Sequence, residues 1–380
     1  MKNHYILLVA GILISSIIAF FAYIEFISSG FTPKTSKQLN GINETLQQIL
    51  YYASLAPSSH NAQMWKVKIS PNINTIYISL DNSRTLKVID KDNRESYISL
   101  GCYLKALQMA FEAYNYKTII NIQDDSKQIL VTYSKENTGD INHDILNSLM
   151  KRHSDKQIFI DRKLNEDLVD KLSAISNQAF IIQKGSDKFK DISNLLKDAV
   201  KRQANDRYAV EELASYMRFS DEEASKKQDG LNAEQLGMRG IKKFFYYLFV
   251  NTKTVLTETF SKQTISIINK QIDSAQGFVI INSFGDSFNA KVLQGMELMK
   301  VWMFLTENNV EVHPISAPVE YKDSESKLNK ILDKQSHTDM ILRIGYAENY
   351  SKNHLLRRDL DKYIKVITDS SFPHGNLKQT

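Results

Sequence analysis

The chain has 380 residues, 42% hydrophobic and 24% charged, which suits a globular protein with a large core. Its net charge of +5 is spread rather than blocked, and no helix-turn-helix or RNA-binding signature accompanies it, so nucleic acid is not an expected partner. The single cysteine, Cys102, excludes an internal disulfide framework and reads as a buried, inert thiol in an apolar helical pattern.

Residues 6–24 form nineteen positions without a charge, long enough for a helix to cross a bilayer. A cleaved signal is the competing reading and a buried helix the third. The expectation is a single-pass membrane anchor over 1–30, with the exported side favoured for the body. Lysines on both sides leave its orientation nearly balanced. Residues 31–40 read as a linker.

Ile42, Leu46, Ile49, Leu50 and Ala53 then mark an amphipathic helix that Pro57 stops. Strands are predicted over Trp65–Ile69 and Thr75–Leu80, an apolar helix over Ser99–Tyr114, and strands near 117–122 and 128–133. After residue 151, Asn165 is a candidate helix N-cap, with Leu164 and Val169 placed as a hydrophobic staple. A strand follows at Phe180–Gln183 and a long polar helical region runs to about Tyr216. Phe278–Asn282 and Val310–Ile315 read as strands around a helix from Asn289 to Glu307, and Met340–Gly345 as the last strand. Gly101, Leu104, Leu107, Phe111 and Tyr116 match Gly295, Leu298, Val301, Leu305 and Val310 at identical offsets, which suggests duplication, although helical packing alone supplies some of the matches.

Two stretches carry candidate chemistry. The first is Ala56-Pro57-Ser58-Ser59-His60-Asn61-Ala62-Gln63-Met64-Trp65, where short hydroxyl and amide side chains bond locally; a helix-stopping turn is the plain alternative. The second is Lys151-Arg152-His153-Ser154-Asp155-Lys156-Gln157-Ile158-Phe159, in which an arginine can grip a phosphate bidentately; a solvated basic cluster is the alternative. Two further segments are Val310–Ala317, otherwise a strand ending at proline, and Leu355–Leu360 with its two arginines. The eight histidines lack metal spacing, and no phosphate-cradling glycine loop is present.

Together these segments resemble the nitroreductase family of FMN-dependent oxidoreductases, closest to the branch with duplicated halves in one chain, the Acg-like nitroreductases. A family subunit usually carries the Arg-His-Ser motif before the Pro-Ser-Ser motif; here the order is reversed and each occurs once. The resemblance implies a mixed α+β fold in which halves 41–150 and 151–370 form a pseudo-dimer within a monomer, with a lid insertion at about 214–262. One FMN would lie between the halves, bound by Pro57, Ser58, Ser59, Asn61 and Gln63 on one side. On the other would be Arg152, His153, Ser154 and Lys156, with the last facing N1 and O2. Pro314, Ile315 and Ser316 would bring a backbone donor to N5, and Arg357 or Arg358, slightly favouring the latter, would return to the phosphate. Met64 stands where the family usually has proline, and Ser316-Ala317 where it often has Glu-Gly. The implied activity is ping-pong transfer from NAD(P)H to a nitroaromatic, quinone or similar acceptor, with no protein nucleophile and no metal. The rival is an FMN-storing or sensing protein whose lid stays closed. The aromatic run Phe244–Phe249 reads as a buried helix before a membrane patch or lid.

Overall fold

A computed structural model describes residues 2–29, 34–136, 139–333, 337–348 and 356–367. Linker residues 31–33 and Leu355 lie outside them. Helices α1 (Lys2–Ser29) and α2 (Glu44–Ser54) come first, the latter capped by the Asn43 side chain on Leu46 N. Strands β1 (Trp65–Ser70) and β2 (Thr75–Leu80), helix α3 (Arg94–Ala113), and strands β3 (Tyr116–Gln123) and β4 (Gln128–Lys135) complete the first half. Helices α4 (His143–Lys151) and α5 (Glu166–Ile175) lead to β5 (Ala179–Gln183). Six helices follow: α6 (Asp187–Asn205), α7 (Arg207–Tyr216), α8 (Asp221–Lys227), α9 (Gly240–Phe249), α10 (Thr252–Val255) and α11 (Glu258–Asp273). Then come β6 (Gly277–Asn282), α12 (Phe288–Glu307), β7 (Glu311–Pro314), α13 (Ala317–Glu320), α14 (Lys322–Ile331), β8 (Thr338–Gly345) and β9 (Ile364–Val366).

The strands form two sheets, ordered β3-β4-β2-β1-β9 and β5-β6-β8-β7, in an α+β arrangement. Leaving β9 aside, the two have one topology. A helix precedes the first strand, a long helix separates the second from the third, and the pairing β1-β2-β4-β3 repeats as β5-β6-β8-β7, antiparallel throughout. The second copy is interrupted between β5 and β6 by α6 to α11, and the first gains β9, which returns from the far end of the chain to lie parallel to β1.

The two long helices α3 and α12 cross where both have glycine. A Cβ on Gly101 would lie 2.0 Å from the Val292 carbonyl oxygen, and one on Gly295 would lie 1.9 Å from that of Ile98. The contact is reciprocal, each glycine meeting the carbonyl three residues before the other, so only hydrogen fits on either side. One apolar core joins this pair to α2 and to strands of both sheets. A second cluster seats α6 and α14 on the outer face of the second sheet, and a third, smaller one gathers Ala214, Met217, Ala233, Tyr246 and Val255 within the insertion.

Several expectations are corrected. The transmembrane anchor is not supported: among the described residues no helix is long and apolar enough to cross a membrane. Residues 2–29 do form a helix, but it packs against α9, and Ile24 is buried. Helix α9 is not the buried helix expected, because it buries Lys243 and Tyr246 while Phe245, Leu248 and Phe249 are exposed. Asn165 does precede α5, yet its side chain makes no capping hydrogen bond. Helix α3 starts at Arg94, five residues before the apolar pattern suggests, and α4 was not foreseen.

Candidate functional site

The loop after α2 is the most strained stretch described. His60, Asn61 and Gln63 all have positive φ, at 52°, 51° and 52°, with no glycine among them. Each such residue costs roughly 1 kcal/mol or more and persists only where its surroundings enforce it. Part of the enforcement is local: Gln63 N donates to Ser58 Oγ at 2.9 Å, and Asn61 N to the Ser58 carbonyl at 2.9 Å. The rest comes from distant arginines.

Arg152 donates to the Leu55 carbonyl at 2.6 Å and lies over the Trp302 ring. Arg357 reaches the same carbonyl at 3.1 Å, the Ser54 carbonyl at 2.7 Å and Asn61 Oδ1 at 3.1 Å. Arg358 donates to the carbonyls of Gln63 and Trp65 while its backbone N–H meets Gln63 Oε1. The structure thus brings the Pro-Ser-Ser loop, the Arg-His-Ser turn and the C-terminal arginines to one place. Burial pushes Arg357 and Arg358 each down to about 10. Their donors go largely to backbone carbonyls, so their visible work is to hold the strained loop. Trp65 is core, tilted against Tyr103 at 4.9 Å.

The Arg-His-Ser segment follows α4, with Arg152 as its C-cap, and the next helix begins only at Glu166. A helix N-terminus therefore does not stand behind His153 and Ser154. His153 Nδ1 lies 2.8 Å from the Lys151 carbonyl and Nε2 lies 3.5 Å from Glu311, which with Asp155 makes a buried cluster. Arg343 on β8, fully buried and stacked on Phe159 at 3.7 Å, donates to the carbonyls of Asp155, Gln157 and Gln271. It fixes the backbone on either side of Lys156.

Lys156 is half-buried, and its ammonium has no hydrogen-bond or ion-pair partner among the described residues. Desolvation pushes it down to about 8. Its charge also depresses His60, from the opposite half, and His313, in both cases after the larger effect of burial. A cation therefore stands between the halves without a counter-charge. Pro57, Ser58, Ser59 and His60 are partly exposed toward this region, as are Pro314 and Ser316, whereas Asn61, Gln63 and Ile315 are buried.

Asn61 and Gln63 are occupied elsewhere. Asn61 Nδ2 donates to the Gly230 carbonyl at 3.1 Å while Gly230 N donates back to the Asn61 carbonyl at 3.2 Å. Gln63 Nε2 donates to the Gln228 carbonyl at 2.9 Å. Gln228 in turn accepts from Asp359 N and Lys362 Nζ. Buried Asp229 bridges Arg84 and Arg218. The insertion is thus latched onto the strained loop and the C-terminal segment together.

No family model matches the chain. The curated protein "Probable NAD(P)H nitroreductase PigM" from a Serratia species is 22% identical over 311 residues, 76% of this chain and 85% of that protein. The chain is thus similar to a probable nitroreductase along most of both sequences. Solved structures that overlay it include the FMN and NADPH-dependent nitroreductase NfnB from sphigopyxis sp. strain HMH, with TM-score 0.35, 16% identity, and 60% of this chain against 98% of that one. NfnB from Mycobacterium smegmatis in complex with NADPH overlays at TM-score 0.34 and 9% identity, over 57% of this chain and 94% of that one. Overlaps this loose add no structural argument.

Sequence reasoning missed Arg343, Arg84, Gln228 and two glutamates, Glu95 and Glu320. Arg343 had a signal: a lone charge inside Met340–Gly345, a strand otherwise apolar enough to be buried on both faces. Arg84, Gln228 and Glu320 meet partners more than 100 residues away and Glu95 meets Ser59 across another loop, so none leaves a local pattern.

Proposed function

We propose that the chain is an FMN-dependent oxidoreductase of nitroreductase type, passing electrons from NAD(P)H to a small-molecule acceptor such as a nitroaromatic or quinone. A single flavin would be seated between halves 41–150 and 151–370, acting as an internal pseudo-dimer. The observation that carries this is Lys156, a desolvated cation between the halves with no carboxylate paired to it among the described residues. The residues fit the cofactor. A flavin's N1/O2 edge becomes anionic on reduction, and a lysine whose charge is otherwise unanswered stabilises that edge. The repeated sheet topology and the reciprocal glycine crossing support the pseudo-dimer.

When bound, FMN supplies the hydride-accepting and hydride-donating chemistry. This chain's residues do the rest. Lys156 holds the anionic edge, and Arg343 holds Lys156 in place through the carbonyls on either side. Arg152, His153 and Ser154 take the phosphate side, with Pro57, Ser58 and Ser59 across the cleft. The Pro314–Ser316 segment offers backbone N–H groups at Ile315 or Ser316. Arg357, Arg358, Asn61 and Gln63 serve the flavin indirectly, by maintaining the loop that carries Ser58 and Ser59.

The test is to purify the full chain, count flavin per polypeptide and add NADPH anaerobically. One FMN per chain, bleached rapidly, is expected. No flavin, two per chain, or a flavin that needs two chains overturns the reading. One observation favours the storage alternative: the insertion is latched by the Asn61–Gly230 pair and by Asp229. A latch worth about 3 kcal/mol leaves the open form below about one per cent. Bleaching that appears only after residues 221–250 are replaced by a Gly/Ser linker decides for storage.

A further inference from the structure

Two glutamates, one on each half, lie near enough for the charge of Glu95 to act on Glu320, and each is held by a serine of a segment assigned above to the flavin site. On the first half, Ser59 Oγ donates to Glu95 Oε2 at 2.5 Å, and Arg94 pairs with Glu95 Oε1 at 2.9 Å. On the second, Ser316 Oγ donates to Glu320 Oε1 at 2.8 Å, and Gln203 Nε2 donates to Glu320 Oε2 at 2.6 Å. The two carboxyls are unequal. Glu95 has a guanidinium beside it, whereas Glu320 has only the neutral Ser316 and Gln203 within hydrogen-bond distance. Two adjacent carboxyls in a poorly solvated site share their charge unevenly, and the one without a cation keeps the proton.

The charged groups around Glu320 agree. Glu95 disfavours its ionisation, and Arg94, farther off and engaged with Glu95 and the Asp339 carbonyl, only partly offsets this. Tyr321 is adjacent in sequence. Arg202, next to Gln203, is turned to Asp323 at 2.6 Å and to the Tyr321 ring at 4.0 Å. Burial first, and then Glu95, push Glu320 up to about 8.

We propose that Glu320 and Ser316 form a proton-delivery pair: the Glu320 carboxyl donates to the Ser316 hydroxyl, which donates in turn to the acceptor as it is reduced. The proposal rests on the flavin reading above. For a quinone, one oxygen takes the hydride equivalent (two electrons and a proton) that originates in NAD(P)H, the other oxygen takes one proton from Ser316, and the product is the hydroquinone. NAD(P)H leaves as NAD(P)+, and Glu320, left as a carboxylate, regains its proton from solvent. A protonated Glu320 must itself donate, and Ser316 Oγ at 2.8 Å is the acceptor in reach. Reversing that one bond frees the Ser316 hydroxyl proton to point away from Glu320. Glu320 acts through Ser316, so its role is that of a positioning residue.

The experiment pairs an infrared titration of the full chain with turnover of two acceptors. Wild type is expected to show a carboxylic-acid carbonyl band that titrates near about pH 8, missing in Glu320→Gln. Quinone turnover by Glu320→Gln should fall about 100-fold relative to its reduction of ferricyanide, which takes electrons without protons. Glu320→Asp should restore part of the ratio. Equal loss with both acceptors, or a wild-type protein without the band at neutral pH, overturns the proposal. A chain that binds no FMN sinks the flavin reading instead, and the infrared band then decides by itself whether Glu320 holds the proton.

Discussion

Two regions join the halves, and they do so by opposite physics. The α3–α12 crossing is dry, apolar and reciprocal, with Gly101 and Gly295 meeting each other's helix through bare hydrogen. The loop at residues 54–63 is polar, strained and lopsided, clamped by Arg152, Arg357 and Arg358 and covered by an insertion the first half lacks. The crossing is what a symmetric dimer needs. The loop shows where symmetry has been abandoned, because one half supplies the strained turn and the other the cations. Stability resides in the first, and the proposed chemistry lies beside the second.

The largest effect should come from breaking the crossing. In Gly295→Ala the new Cβ meets backbone rather than a flexible side chain, so the helices must separate. A loss of about 4 kcal/mol or more is expected by urea unfolding. Gly101→Ala should cost nearly the same, and a mild effect in only one of them would end the argument for reciprocity.

Arg357→Ala comes next, at about 3 kcal/mol, because it strips donors from the buried carbonyls of Ser54 and Leu55. Arg152→Ala should additionally weaken FMN binding by about 2–4 kcal/mol. Calorimetry that found full flavin affinity in the Arg152 variant would remove this arginine from the site.

Asp229→Asn should loosen the latch alone, by about 1–2 kcal/mol. Hydrogen exchange at Gly230 and Leu231 should quicken about 10-fold while β6 and β8 stay protected. Uniform acceleration across the chain would mean the insertion is part of the cooperative core.

The smallest effect is a pH signature. Glu320, raised to about 8, binds more protons folded than unfolded, so stability falls as pH rises toward about 8. The depressed histidines His60, His153 and His313 have the opposite sign, but only below about pH 6.5, where the unfolded forms are protonated. Lys156, lowered to about 8, binds fewer protons folded than unfolded above that pH, so stability rises from there. A shallow minimum near about pH 8 is expected in denaturation midpoints. Glu320→Gln should flatten its acid side and Lys156→Met its alkaline side.

Much of this was legible from one dimension. The periodicity of Ile42–Ala53 and of Asn289–Glu307 placed α2 and α12, and the matched glycines suggested duplication, whereas the crossing they form became visible only in the fold. Both motifs were readable as short, unusual combinations of residue types. Helix starts were less so, since Arg94–Ile98 extends α3 through residues whose burial depends on the other half. The first helix misled for a related reason: an uncharged run describes transfer to any apolar surface, and α9 is such a surface.

The sequence by itself determined most strands and the amphipathic and apolar helices α2, α3, α5 and α12, the α+β class and the residue types available for an anionic, aromatic ligand, because those depend on local spacing and side-chain chemistry. Only the tertiary structure decided which arginines stay with the loop, that Lys156 stands without a counter-ion, and that Glu95 and Glu320 come together. Burial and Coulomb energy depend on distances in space, and the residues concerned, such as Arg357 with Leu55 or Glu95 with Glu320, lie far apart along the chain.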